Sequence, residues 1–335
     1  MGLRRVSALA VVGACTLALG NAKVPLPPKD GPGSPVYPHG SVRVSSQPYG
    51  SDSVGTVYHL FEPAEPTPAS APVLLYLHGY TGQTHKESRY EPMLRHLARK
   101  GTLVIYVTYG AVEKPWTYEA NAVKGFKAAI DALSQGGHVR PELDRFAIAG
   151  HSLGGALALR LASRWDQQGL PSPRAVVLHE AAVNNTPFQV WLGLNDLKRI
   201  PQDTVLVGLV AERSWSDSAY VFNVSVPATI RHVWSGTEQI PARRKNVLLV
   251  PSDKQGDESL ESDHLGVFCT PEHGHPLDAV DWYGYWKPTE AALDFAFRGE
   301  HAAFVLDDTS EARAMGSWPD GTPVKAMLMA SDLGL

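Results

Sequence analysis

One stretch constrains this chain more than any other: Phe146-Ala147-Ile148-Ala149-Gly150-His151-Ser152-Leu153-Gly154-Gly155. Residues of apolar strand character run straight into a Gly-x-Ser-x-Gly sequence, and a helix-forming run, Ala156 to Ala162, follows at once. So short a pattern arises by chance in many chains, but the strand before it and the helix after it are the context that gives it meaning. A serine on such a turn is held in a strained backbone conformation with its hydroxyl above the sheet. Gly150 and Gly154 omit the side chains that would collide there. The N–H groups at the start of the new helix point toward any developing negative charge.

The rest of the chain falls into place around that turn. Val73 to Leu77 and Leu103 to Val107 are apolar without alternation, as expected of parallel strands covered on both faces. Helical periodicity over Glu87 to Lys100 places Tyr90, Met93, Leu94 and Leu97 near one face, and a second helix is expected over Tyr118 to Leu133. Shorter strands are expected at Val42–Val44 and Thr56–Phe61, and further core strands at Ala175–Glu180, Thr204–Ala211 and Asn246–Val250. A terminal helix is expected at about Thr289 to Phe297. Strands alternating with helices predict an α/β fold built on a doubly wound, mostly parallel sheet. Such sheets bind ligands beyond the carboxyl ends of their strands. Ser152 lies at one such end, and Tyr80, in His78-Gly79-Tyr80-Thr81-Gly82, lies at another.

With Gly150-His151-Ser152-Leu153-Gly154 and His78-Gly79-Tyr80-Thr81-Gly82 on the page, the chain resembles the α/β-hydrolase superfamily in its serine esterase and lipase branch. It is similar in type to carboxylesterases, lipases and cutinase- or chlorophyllase-like bacterial hydrolases. The resemblance runs over about residues 41 to 300. It implies that Ser152 is the nucleophile, that the backbone N–H groups of Tyr80 and Leu153 form the oxyanion hole, and that a small cap-like insertion follows the nucleophile strand and helix. Phe188 and Trp191 would line an acyl pocket beneath that cap, or else serve as ordinary core aromatics. The implied chain order is serine, acid, histidine. His264, in Asp263-His264-Leu265 past the last core strand, is therefore the expected base, with His273 and His275 as fallbacks. The acid is open. Glu212 is the first carboxylate after Gly208-Leu209-Val210-Ala211, Asp217 lies five residues on, and Glu180 is a further option.

Composition narrows the function. A chain of 335 residues with 44% hydrophobic content can bury a large core, and a net charge of -4 with balanced signs leaves no electrostatic footprint for nucleic acid. Arg4-Arg5, the apolar run Val6 to Leu19 and the small residues Gly20, Asn21 and Ala22 read as an export signal over residues 1–22. Val12-Gly13-Ala14-Cys15 also fits a lipoprotein signal, in which a lipidated Cys15 would attach the protein to a membrane. A secreted or periplasmic location is expected in either case. Removal of that signal leaves Cys269 alone, so no internal disulfide is expected. Residues 23–40 are Pro/Gly-rich and read as a tether, and residues 41–335 as one domain.

These residue types suit cleavage of a small-molecule or lipid-like ester through a Ser-His-acid site, with no cofactor. Amide, peptide or thioester hydrolysis would use the same groups, and the irregular acid leaves room for a binding module that has lost catalysis. Metal ligation is the weaker reading. Glu272-His273-Gly274-His275 and the acidic run through Asp253, Asp257, Glu258, Glu261 and Asp263 have ligand residue types but not the spacing of a zinc or calcium site.

Overall fold

The computed structural model describes residues 23–50, 55–80, 86–110, 114–183, 194, 196–216, 225–271 and 274–335. Its strands are β1 (Ser41–Pro48), β2 (Val57–Ala64), β3 (Ser70–Leu77), β4 (Leu103–Val107), β5 (Arg140–His151), β6 (Pro173–His179), β7 (Val205–Ala211), β8 (Lys245–Val250), the small hairpin β9 (Asp253–Gln255) and β10 (Glu258–Leu260), and β11 (Leu328–Met329). Among the described residues, nine of these form one sheet in the order β1-β2-β4-β3-β5-β6-β7-β8-β11. The run from β4 to β8 is parallel throughout, while β1, β2 and β11 add antiparallel edges.

Among the described residues, the five helices of nine residues or more are α1 (Glu91–Arg99), α2 (Tyr118–Leu133), α3 (Leu153–Ser163), α4 (Val226–Gly236) and α5 (Lys287–Arg298), and they cover the sheet. Because successive strand side chains point to opposite faces, Val73, Leu75 and Leu77 of β3 join the core beneath α2, α3 and α4. Leu74 and Tyr76 join the one beneath α1 and α5. The unbroken apolar runs thus reflect burial on both faces. Helix α4 has no counterpart in the sequence reading, although Ser225 caps it by accepting from Ala228 N–H at 3.2 Å and Pro227 occupies its first turn. The segment Val280–Trp286 winds as a π-helix into α5, also unforeseen. The C-terminal residues, expected only to wrap the surface, also enter the fold: β11 pairs with β8, and Trp318 and Met327 are buried in the second core.

Residues 23–40 are not a free tether. Pro25, Pro32, Gly33 and Ser34 are buried. Gly33 N–H donates to the Glu290 carboxylate at 2.7 Å, and Lys100 both pairs with Glu290 at 3.0 Å and donates to Gly31 O at 3.1 Å. Tyr37 lies 3.7 Å beneath the Arg99 guanidinium and its hydroxyl meets His96 Nδ1 at 3.1 Å. Pro and Gly remove regular structure here without removing attachment, since the segment's polar groups are satisfied by side chains of α1 and α5. The cap-like insertion after β6 falls largely on residues 184–193, outside the described residues, and among the described residues no helix is long and apolar enough to cross a membrane.

Candidate active site

The turn from β5 into α3 forces Ser152 to φ 54° and ψ −118°, a conformation that L residues rarely adopt. The crossing is close enough that a Cβ on Gly150 would sit 2.3 Å from Gly154 O, and one on Gly154 2.2 Å from His78 O. Only glycine fits at either position. Ser152 N–H donates to His179 O at 2.9 Å, which fastens the turn to the end of β6. Leu153 is the first residue of α3, so its N–H has no acceptor within the helix and faces outward from the helix end.

Two side chains complete a line with the serine. His264, on the loop after β8, lies with Nε2 2.9 Å from Ser152 Oγ. Its Nδ1 is 3.3 Å from Glu180 Oε2. Glu180 is wholly buried, and Ser152 and His264 are each 7% exposed. Glu180 follows β6 directly with φ 53°. Its N–H donates to Leu209 O at 2.9 Å, and its Oε1 accepts from Ala211 N–H, which leaves Oε2 for the imidazole. Beside it lies Tyr285, whose phenol is pushed up first by burial and then by the Glu180 charge.

Glu212, the acid expected from chain order, does not take this position. Strand β7 passes straight into the short helix Glu212–Ser216, and the Glu212 carboxylate accepts from Ser252 N–H at 2.9 Å and pairs with the Lys325 ammonium. The carboxylate within reach of His264 comes from the neighbouring strand end. It is Glu180, the further option in the sequence, which stands in His179-Glu180-Ala181-Ala182 at the carboxyl end of the strand after the nucleophile helix. Asp217, Phe188, Trp191, His273 and Cys15 lie outside the described residues. His275 sits 3.6 Å from Asp263. Among the described residues no group of three or more His, Cys, Asp and Glu side chains is arranged to hold a metal ion.

The loop after β3 brings Tyr80 to the same end of the sheet. His78 Nδ1 lies 2.6 Å from Gly79 O, and its Nε2 accepts from Tyr109 N–H at 3.4 Å, so the Nδ1–H donates. The His78 ring stacks on Tyr109 with centroids 4.0 Å apart. In a trans peptide the N–H points opposite to the C=O. Pinning Gly79 O therefore aims Tyr80 N–H the other way, and the peptide cannot turn over without breaking the His78 bond.

Beneath Glu180, His179 meets Tyr76 Oη at 3.0 Å and Thr289 Oγ1 at 2.9 Å, and burial pushes its pKa down to about 3. The folded state therefore holds His179 neutral while the unfolded chain protonates it below its ordinary value of about 6.5. Stability from this residue is complete above that value and is lost as pH falls toward 3. Compared with His179→Gln, which keeps one donor and one acceptor, the wild type is expected to lose about 1.4 kcal/mol per pH unit below pH 6.5. Urea unfolding of both proteins between pH 5 and 8 measures this, and a gap independent of pH would refute it.

Residues 36–176 of the chain match the chlorophyllase family model. That span includes the His78-Gly79-Tyr80 loop and the whole Ser152 turn. Among solved structures, a thermostable esterase from Pseudomonas putida is 16% identical, with 63% of this chain and 73% of that chain covered at a TM-score of 0.42. Esterase B from Lactobacillus rhamnosis, inhibited by a tributyrin phosphonate, is 14% identical with 64% and 75% covered at a TM-score of 0.46. A hyperthermophilic esterase from the archaeon Pyrobaculum calidifontis is 19% identical with 52% and 66% covered at 0.38. The strand order and the turn at Ser152 are those of an α/β-hydrolase fold, and residues 36–176 of the chain are similar to the chlorophyllase family.

Proposed function

We propose that the protein hydrolyses carboxylic esters through Ser152, His264 and Glu180 by way of an acyl-enzyme. The observation that carries this is the hydrogen-bonded line from Glu180 Oε2 through the His264 ring to Ser152 Oγ. A buried carboxylate on Nδ1 favours the tautomer whose Nε2 accepts a proton. Ser152 Oγ then attacks the ester carbonyl as its proton passes to His264 Nε2, and negative charge develops on the carbonyl oxygen. The N–H groups of Tyr80 and Leu153 serve that oxygen. Collapse of the tetrahedral adduct breaks the bond to the alcohol oxygen, which takes the proton from His264. Water repeats the sequence on the acyl-serine and releases the acid. No cofactor enters these steps.

The test is hydrolysis of p-nitrophenyl acetate, butyrate and decanoate by the described domain, with labelling by a fluorophosphonate. Turnover of at least one ester and label on Ser152 are expected. A folded protein that accepts neither would be a binding module instead, and label without ester turnover would point to amides or thioesters. We further propose that residues 1–22 direct export, on the basis of Arg4-Arg5 and the apolar run after it. Intact mass of the mature protein distinguishes removal after Ala22 from lipidation at Cys15, and an unprocessed N-terminus would refute both.

A further inference from the structure

We infer that Tyr90 and His151 form a strut that holds the oxyanion loop, the nucleophile turn and the histidine loop in one register, and that they are positioning residues for the reaction. It rests on the ester-hydrolase assignment above. Tyr90 precedes the first residue of α1, 11 residues past Gly79 and 61 before His151, and its hydroxyl lies where the three segments meet. Gly79 N–H donates to Tyr90 Oη at 3.0 Å, and Tyr90 Oη lies 2.9 Å from His151 Nδ1. His151 Nε2 lies 2.8 Å from the backbone carbonyl of His264.

The directions of these bonds follow from the partners. A carbonyl can only accept, so His151 Nε2 carries the proton and Nδ1 is bare. Tyr90 Oη must then donate to Nδ1 while accepting from Gly79. The chain reads Gly79 N–H to Tyr90 O–H to His151, and His151 N–H to His264 C=O. Burial pushes the His151 pKa well below its ordinary value, with the nearby His264 acting the same way, which keeps the ring in the neutral form the chain requires. Tyr90 is itself fully buried, and its hydroxyl is held up in pKa chiefly by burial.

Packing gives the strut no slack. A Cβ on Gly79 would lie 2.8 Å from His151 Nδ1 and 3.5 Å from Ser152 Cβ, so the oxyanion loop rests directly on the turn. Phe268, from the histidine loop, packs edge-on against both rings, 5.0 Å from Tyr90 and 5.1 Å from His151. Each of the three segments that contribute a group to the reaction is thus bonded to this pair through its backbone or through a residue next to the group. Ser152 follows His151, Tyr80 follows Gly79, and the His264 backbone itself is the last acceptor. Tyr90 and His151 are both buried, so the pair acts on geometry alone.

Removing the Tyr90 hydroxyl leaves Gly79 N–H and His151 Nδ1 without partners and frees the loops to drift. Misplacement on this scale costs kcat rather than substrate binding. Tyr90→Phe is expected to lower kcat about 10- to 100-fold with KM within about twofold of wild type. His151→Leu should match it, whereas His151→Gln, which retains one acceptor and one donor, should recover most of the loss. Because the two residues are one device, Tyr90→Phe with His151→Leu should be no slower than the slower single variant. Tyr90→Phe at wild-type kcat, a change confined to KM, or losses that multiply in the double variant would overturn the strut. Circular dichroism and thermal unfolding of each variant report that the protein is still folded. Esterase activity that survives Ser152→Ala would sink the assignment beneath it instead, so the two failures are distinct.

Discussion

Alanine at Ser152 is expected to lower kcat on a p-nitrophenyl ester about 10⁶-fold, and alanine at both Ser152 and His264 to lower it no further than either change alone. The reason lies in the 2.9 Å contact between Ser152 Oγ and His264 Nε2. A hydroxyl is a poor nucleophile at neutral pH until a base takes its proton. The imidazole in turn has nothing to activate once the hydroxyl is gone. The residual rate would come from the N–H groups of Tyr80 and Leu153 and from binding, which neither substitution touches. Steady-state kinetics on the two single variants and the double variant make the comparison. A double variant slower than the singles by the product of their losses would mean that the residues work independently.

The second large effect concerns the acid. Glu180→Gln is expected to lower kcat about 10⁴-fold with little change in KM, because a neutral amide cannot hold the imidazole in the tautomer that accepts the serine proton. Shape and burial are nearly preserved, so the loss reports chemistry rather than folding. Glu212→Gln, by contrast, is expected to stay within about threefold of wild type, since its partners are Ser252 N–H and Lys325 and rim pairs of this kind carry little energy. The ratio of the two variants decides between the carboxylates. If Glu212→Gln proved the more damaging, the 3.3 Å contact of Glu180 with His264 would have no catalytic meaning.

That contrast shows where sequence reasoning reaches its limit. The Ser152 turn was legible because everything that makes it, strand, glycines and helix, lies within a few residues of it. The fold was legible for a similar reason, since β3, β4 and β5 are apolar on both faces and are spaced by amphipathic helices. The acid was not. Chain order favoured the end of β7, but β6 and β7 are hydrogen-bonded neighbours in the sheet. Both strand ends open toward the same side, and no local pattern says which carboxylate bends toward an imidazole that arrives more than 80 residues after Glu180. The segment at 23–40 misled for the opposite reason. Its composition lacks periodicity, but the partners that hold it, Glu290 above all, are 257 residues away from Gly33. The strut through Tyr90 is hidden in the same way, because a tyrosine on an amphipathic face looks like any other core residue.

The docking of residues 23–40 bears on the proposal that Cys15 carries a lipid. Were all residues up to Ser41 free, a lipid on Cys15 would let the body roam about 90 Å from the bilayer, taking an extended chain of 26 residues. With the chain held from the buried Pro25 onward, a lipid on Cys15 would leave only ten residues of leash, about 35 Å. A protein leashed so tightly would graze the lipid surface, sampling esters within or beside the bilayer far more often than those dissolved further out.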